Sequence, residues 1–192
     1  YGIGCFSREA YAFVDWLKEA GQTVWQILPI HPTSYGDSPY QSFSTFAGNP
    51  YFIDLEELIE EGMLTREECD SMDFGDDEDD IDYEDQYQNR YILLTMAYER
   101  SNISQNPDYQ RFVEENRWWL DDYALFMALK YFFKGQCWNE WPQDIRLRWG
   151  YSMDYYRREL YFDIEFQMFL QYYFFRQYWR LKAYANENHI KI

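Results

Sequence analysis

Two histidines, three cysteines and 34 acidic side chains are what this 192-residue chain has for chemistry. A Ser-His-Asp triad would have to use His31, since His189 is the only other histidine, and no G-x-S-x-G carries the serine. His and Cys at zinc-ligand spacing are absent, as are a G-x-G-x-x-G and a Walker A loop. The residues therefore point to no metal and no organic cofactor. Cys5, Cys69 and Cys137 are odd in number, widely spaced and without a C-x-x-C. That pattern fits reduced thiols in a cytoplasmic protein better than a disulfide framework. Paired carboxylates remain, but among so many acids only position singles one out. Asp37 lies in the turn Gly36-Asp-Ser-Pro39, where a carboxylate more often bonds the backbone than moves protons.

The acidic run over residues 73–85 holds nine acids in thirteen residues. It fails the EF-hand pattern, because its Gly75 precedes the run and no Glu closes a D-x-D-x-D-G register. A solvated acidic loop is the plainer reading. The formal net charge of −17 disfavours a nucleic-acid partner and an anionic membrane surface, both of which need a Lys/Arg surplus. Aromatics make up 22% of the chain, with 20 Tyr, 15 Phe and 8 Trp. Most such rings fill a core, but Tyr and Trp also form flat surfaces with a polar tip, on which sugar rings stack.

The residues that could touch a ligand concentrate in one stretch, 23–50. It opens on the apolar run Val24 to Leu28 and continues as a loop rich in Pro, Gly, Ser, Tyr and Asn. This reads as a buried strand feeding a specified loop, the place where α/β enzymes hold ligands. Ahead of it, Ser7 is the expected N-cap of an amphipathic helix carrying Ala10, Phe13, Val14 and Leu17 on one face, and Gly21 its stop. A helix feeding a short strand is half of a βα repeat, so an α/β fold with a parallel sheet is expected. Further helices are expected over 55–61, from Thr65 with a capping box to Glu68, over 87–101, 108–116 and 118–133, and as one long helix over about 154–186. The chain starts at Tyr1 without Met and ends on His189-Ile-Lys-Ile192, a strand just beginning, so both ends read as cuts. Some 160 mainly helical residues separate the two strand signals, far more than an ordinary βα connection.

Several motifs are similar to the amylomaltases, the 4-α-glucanotransferase or disproportionating-enzyme family of the α-amylase superfamily. They include Tyr1-Gly-Ile-Gly4, the segment from Ala20 to Pro29, Ser34-Tyr-Gly-Asp-Ser-Pro-Tyr-Gln-Ser-Phe-Ser44 and Phe46-Ala-Gly-Asn-Pro50. Later matches are Asp82-Tyr83, the segment from Trp118 to Lys130, Trp138-Asn-x-Trp-Pro142 and Phe174-Phe-Arg-Gln-x-Trp179. Cys5 departs from the Asp common there. The resemblance implies a partial (β/α)8 TIM barrel with a large, mainly helical inserted subdomain: residues 1–50 as barrel start, 51–150 as insertion, and 151–192 as barrel helix and next strand. It implies retaining transfer of α-1,4-glucan segments between maltooligosaccharides, with no cofactor. The family's three catalytic carboxylates sit in motifs absent from this chain, so no catalytic residue is assigned here. The chain then resembles an internal fragment that carries binding parts. Ser38 and Tyr40 match positions facing the donor sugar, and Tyr35 and Tyr87 match a more distant glucan groove. Asn49 is placed to approach sugar, while Asp37, Gln41 and Pro50 shape the loop. A non-catalytic glucan-binding or structural module is the alternative, and hydrolysis by the parent protein a third reading.

Overall fold

The computed structural model describes residues 1–34, 36–75 and 80–192. The chain forms two compact units, one of Tyr1–Ile103 with Leu170–Ile192 and one of Ser104–Phe169.

The first unit starts with α1 (Arg8–Glu19), which buries Val14 and Leu17. Ser7 occupies the N-cap position but does not cap. Its hydroxyl donates to the Glu9 carboxylate at 2.7 Å instead. The helix ends as expected at Gly21, whose φ is +70°. The N–H groups of Gly21 and Gln22 bond back to the carbonyls of Lys18 and Leu17, the Schellman arrangement that satisfies orphan carbonyls. Next come α2 (Leu55–Glu60), α3 (Arg66–Asp70), the single turn α4 (Tyr83–Asp85), a π turn over Gln86–Arg90, and α5 (Tyr91–Arg100). Asp54 caps α2 and Thr65 heads α3 with the expected reciprocal capping box to Glu68. Several acids of the 73–85 run serve local geometry: Asp73 accepts from the Gly75 N–H, and Asp82 caps α4. Residues 76–79 of that run lie outside the described residues.

The second unit holds α6 (Pro107–Phe132), α7 (Gln143–Arg146), α8 (Gly150–Glu159) and the first turns of α9 (Tyr161–Glu187), whose remainder belongs to the first unit. Two expectations change here. The helices expected over 108–116 and 118–133 are one, because Arg117 is a good helix former. It also pairs along the helix with Glu114 and Asp121 at 3.3 and 3.5 Å. Conversely, the single helix expected from about 154 breaks at Leu160, whose φ/ψ of −104°/23° turns its side chain into the core. Burial of one leucine achieves there what Gly or Pro would otherwise do. The 118–133 segment, apolar on nearly every face beyond Asp122 and so expected to be buried, is buried at Tyr123 to Leu125 and Met127 to Leu129 but leaves Tyr131 and Phe132 exposed.

The strand expectation is met only at one point. Trp25 N–H donates to the Lys191 carbonyl at 2.7 Å, and Lys191 N–H to that of Thr23 at 2.9 Å. This makes a single parallel bridge, Val24 with Lys191. The two segments read as strands do meet, and in parallel, but among the described residues no longer strand forms. The segment 23–28 is therefore not buried, and Val24 is 60% exposed. A run that is apolar on both faces needs cover on both, and one bridge supplies none. Its anchor is the small core formed by Val14 and Leu17 of α1 with Leu181 and Ala185 of α9 and Ile190, against which Trp25 packs. Among the described residues no helix is long and apolar enough to cross a membrane.

Candidate functional site

Beyond Pro32 the loop folds into a small hairpin closed by the antiparallel bridge Thr33 with Ser42. Ser34 N–H donates to the Gln41 carbonyl at 3.1 Å. Gly36 and Asp37 both adopt left-handed φ, +88° and +54°, a conformation that Asp tolerates among non-glycine residues. Asp37 is thereby built into the turn. Its N–H donates to the Ser34 carbonyl, and its carboxylate accepts from the Thr33 hydroxyl at 3.4 Å. Ser38 is half-buried, and its Oγ accepts from the Tyr40 N–H at 3.4 Å. Tyr40 stands at the tip, 75% exposed. Tyr35, placed in the same turn by the sequence, lies outside the described residues.

The far side of the loop is its opposite in character. His31 Nδ1 sits 3.0 Å from the Ala47 carbonyl, where a protonated Nδ1 donates. Asn49 N–H donates to the Ile30 carbonyl at 2.9 Å. Asn49 itself is only 4% exposed, and its Oδ1 accepts from the Tyr51 N–H at 3.0 Å. Its amide nitrogen and the second lone pair of Oδ1 are left for a ligand. Between these two residues Gly48 packs flat on the Phe174 ring of α9, where a Cβ would fall 2.1 Å from ring carbons.

The helices on either side of the π turn, α4 and α5, meet the loop at Tyr51. Its ring centroid lies 6.4 Å from those of Tyr83 and Tyr91, and Tyr87 lies 5.5 Å from Tyr91. Burial first, then the nearby Asp37 and Tyr87, pushes the Tyr51 phenol well above its ordinary pKa, so it stays protonated and able to donate. A cavity of about 550 Å³ opens here. Trp25, Ile27, Leu28 and Ile30 give it apolar walls, and Thr33, Asp37, Asn49, Tyr51 and Tyr83 add polar groups. Such a lining, mostly apolar with a few convergent polar groups, suits a small organic ligand with both characters. Among the described residues no three His, Cys, Asp or Glu side chains gather to hold a metal.

Of the expected contact residues, Ser38 and Tyr40 share the hairpin, and Asn49 lines the cavity at the loop base. Tyr87 sits half-exposed on the π turn, in line with Tyr91 and Tyr51. Sequence reasoning missed the residues that hold this frame. Gln171 of α9 donates to the Gly48 carbonyl at 2.9 Å and accepts its N–H at 2.8 Å. Gln177 makes the same two-bond clasp on Asp54, at 3.3 and 2.7 Å. Arg90 is fully buried and donates to Ile53 and Tyr1 carbonyls and to Gln86 Oε1 at 2.9 to 3.1 Å. Burial pulls its pKa down, while Cys5 and Asp54 act in the opposite sense. The one hint in the sequence is the polar type of Gln171 and Gln177 among apolar neighbours, and it names no partner.

A family profile described as 4-alpha-glucanotransferase matches residues 1–192. The chain is 49% identical over 192 residues to the 4-alpha-glucanotransferase of Clostridium butyricum, covering 100% of this chain and 39% of that protein. Its identity to the 4-alpha-glucanotransferase of Streptococcus pneumoniae is 45% over 194 residues, covering 100% and 38%. The amylomaltase from Streptococcus agalactiae, solved in complex with acarbose, superposes with a TM-score of 0.91 at 38% identity, over 98% of this chain and 39% of that one. The amylomaltase from Corynebacterium glutamicum shares the fold, with a TM-score of 0.69 at 20% identity over 97% of this chain and 26% of that one. The chain spans about two fifths of the length of the curated relatives it matches.

Proposed function

Since this chain belongs to the 4-alpha-glucanotransferase family, we propose that the parent protein transfers α-1,4-glucan segments between maltooligosaccharides, and that these 192 residues supply binding surface rather than catalytic carboxylates. The observation that carries this is the meeting of Thr33 and Asp37 of the hairpin, Asn49 of the loop base and Tyr83 of α4 around one cavity with Tyr51. In a retaining transfer one carboxylate attacks the anomeric carbon and a second protonates the leaving oxygen. The second then takes the proton of an incoming glucan hydroxyl, which displaces the first and closes the new glycosidic bond. The Tyr40 ring offers a stacking face to the donor sugar and the Ser38 hydroxyl a hydrogen bond. Asn49 offers its amide nitrogen from the loop base. Tyr87, with Tyr35, extends the surface toward a more distant stretch of glucan.

The finer architecture belongs to the same proposal. Residues 23–28 and the segment from His189 onward serve as strands of a partial (β/α)8 barrel, with 1–50 as barrel start, 51–150 as helical insertion and 151–192 as barrel helix and next strand. The parallel bridge of Val24 with Lys191 supports it. A cytoplasmic location is supported by three free thiols, Cys5, Cys69 and Cys137.

Incubating the 192-residue chain with maltotriose tests the division of labour. Binding without any redistribution of chain length is expected, and either chain-length redistribution or glucose release by the isolated chain would overturn it. The family's nucleophile Asp sits in an R-I-D-H-F-R-G motif, and a coding sequence that shows no such segment beyond Ile192 would overturn the transferase reading of the parent.

A further inference from the structure

A second cavity, of about 290 Å³, lies within the helical unit of Ser104–Phe169. Its floor is apolar and rigid. Trp141 is buried, its Nε1 donates to the Gln136 carbonyl at 3.1 Å, and its ring lies 5.5 Å from Phe126 at 36° and 5.4 Å from Phe133 at 32°. Beside it Trp138, on the short turn Trp138–Glu140, lines the same cavity and is 56% exposed. A polar edge is formed by Asp122 of α6 and Arg148, joined at 2.6 Å, with both side chains more than half exposed. Arg146 adds a second guanidinium, bonded to the Asn139 carbonyl at 3.0 Å. Arg148 is held there at a left-handed φ of +54°. Its N–H donates to the Ile145 carbonyl, and the next N–H, of Trp149, donates to that of Asp144. These are the two bonds of the Schellman arrangement that ends α7, and they fix the Arg148 backbone at the cavity edge.

We propose that this cavity is a separate, non-catalytic subsite for one or two rings of an α-glucan. The volume sits at the small end of ligand pockets, roughly 300–1,000 Å³, which suits one or two rings and not a long chain. An anion would meet Asp122, and a cation would meet Arg146 and Arg148. A wholly apolar ligand would strip water from the ion pair with nothing in return. A sugar ring meets every wall. Its C–H face covers the Trp138 indole, and neighbouring hydroxyls reach the Asp122 carboxylate as donors and the Arg148 guanidinium as acceptors. The choice of α-glucan among sugars rests on the glucanotransferase reading, whereas the ring-and-ion-pair geometry does not depend on it.

The test is a titration of the 192-residue chain, with backbone and indole nitrogens labelled, by maltotetraose and by cellotetraose, read by NMR at the Trp138 and Trp141 indoles and the Tyr40 amide. The Trp138 indole signal is expected to shift saturably with maltotetraose and weakly with cellotetraose. Trp138→Ala should weaken the binding seen at the Trp141 indole by about fivefold or more, Asp122→Asn by about threefold, and Trp138→Phe should restore most of it. Both side chains are exposed, so an unchanged amide fingerprint serves as the folding control. If Tyr40 responds to maltotetraose and Trp138 does not, the subsite is overturned and the hairpin reading stands. If Trp138 responds and Tyr40 does not, the subsite stands and the hairpin reading fails. An equal response to both tetrasaccharides overturns the assignment to α-glucan, and silence at both places overturns both readings.

Discussion

The two ends of the same loop are built on opposite principles. At the base, residues 47–50 are all buried, Gly48 has both backbone groups claimed by Gln171, and no space remains even for a methyl group against Phe174. At the tip, the hairpin of 33–42 is tied by a single bridge and its own turn bonds, and Tyr40 stands in solvent. The base thus sets where the loop is, and the tip sets what it touches. A contact residue on a tip can be chosen for its ligand because packing asks nothing of it, while a residue at the base answers first to its neighbours. Asn49 shows the tension: one lone pair of its Oδ1 is spent on the Tyr51 N–H, which leaves the other lone pair and the amide nitrogen.

That contrast can be broken by substitution. Gly48→Ala should have the largest effect, a loss of about 3 kcal/mol, since the new Cβ would meet the Phe174 ring at 2.1 Å. Chemical denaturation measures it, and a loss within error would mean that loop and helix are not pressed together. Gln171→Ala should cost about 2 kcal/mol, because it leaves the Gly48 N–H and carbonyl buried without partners. Its denaturation midpoint should fall while the Tyr40 surroundings stay as they are. Tyr40→Ala should do the reverse. Stability should move by no more than about 0.5 kcal/mol, and maltooligosaccharide binding, followed by calorimetry, should weaken about fivefold. A Tyr40→Ala chain that unfolds early would place the tip among the packed parts.

The smallest effect concerns acid. The Glu68 carboxyl is held down to about 2, first by its hydrogen bond from Arg100 and then by the Thr65 N–H. Its folded pKa lies below the ordinary carboxylate value of about 4.3. The stabilisation is therefore present above that value and is lost as the pH falls toward 2. Glu68→Gln should remove a slight acid-sensitive part of the stability of α3 and leave both ends of the loop unchanged. Urea midpoints across that pH interval check it. A large change would show that α3 braces the loop.

Much of the local frame was legible. Gly21 and Gly62 end their helices, and Thr65 with Glu68 forms its capping box, because these signals act within a turn or two of chain. The turn at Gly36 and Asp37 was legible for the same reason, as was its place after a Pro-bounded apolar run, whereas the bridge that makes it a hairpin was not. Other features were not. Arg90, Gln171 and Gln177 bond to backbone groups 37 to 123 positions away, and no periodicity marks a side chain whose partner is that distant. The break at Leu160 has no local cause, since only burial distinguishes that leucine from its neighbours. The strand reading of 23–28 failed in extent for a related reason. Pairing and cover are properties of neighbours, and the described residues bring one bridge at Lys191.

By itself the sequence determined the helix ends, the turn that carries Ser38 and Tyr40, the acidic surface and the motifs that mark the family. Those depend on backbone conformation and charge, which each residue carries with it. Only the tertiary structure decided that Tyr51 of the loop meets Tyr83 of α4 and Tyr91 of α5, and that Gly48 admits no side chain. The same holds for Trp138 with the Asp122–Arg148 pair, which border one cavity. These are relations between residues far apart in the chain, and they exist only once packing has brought the surfaces together.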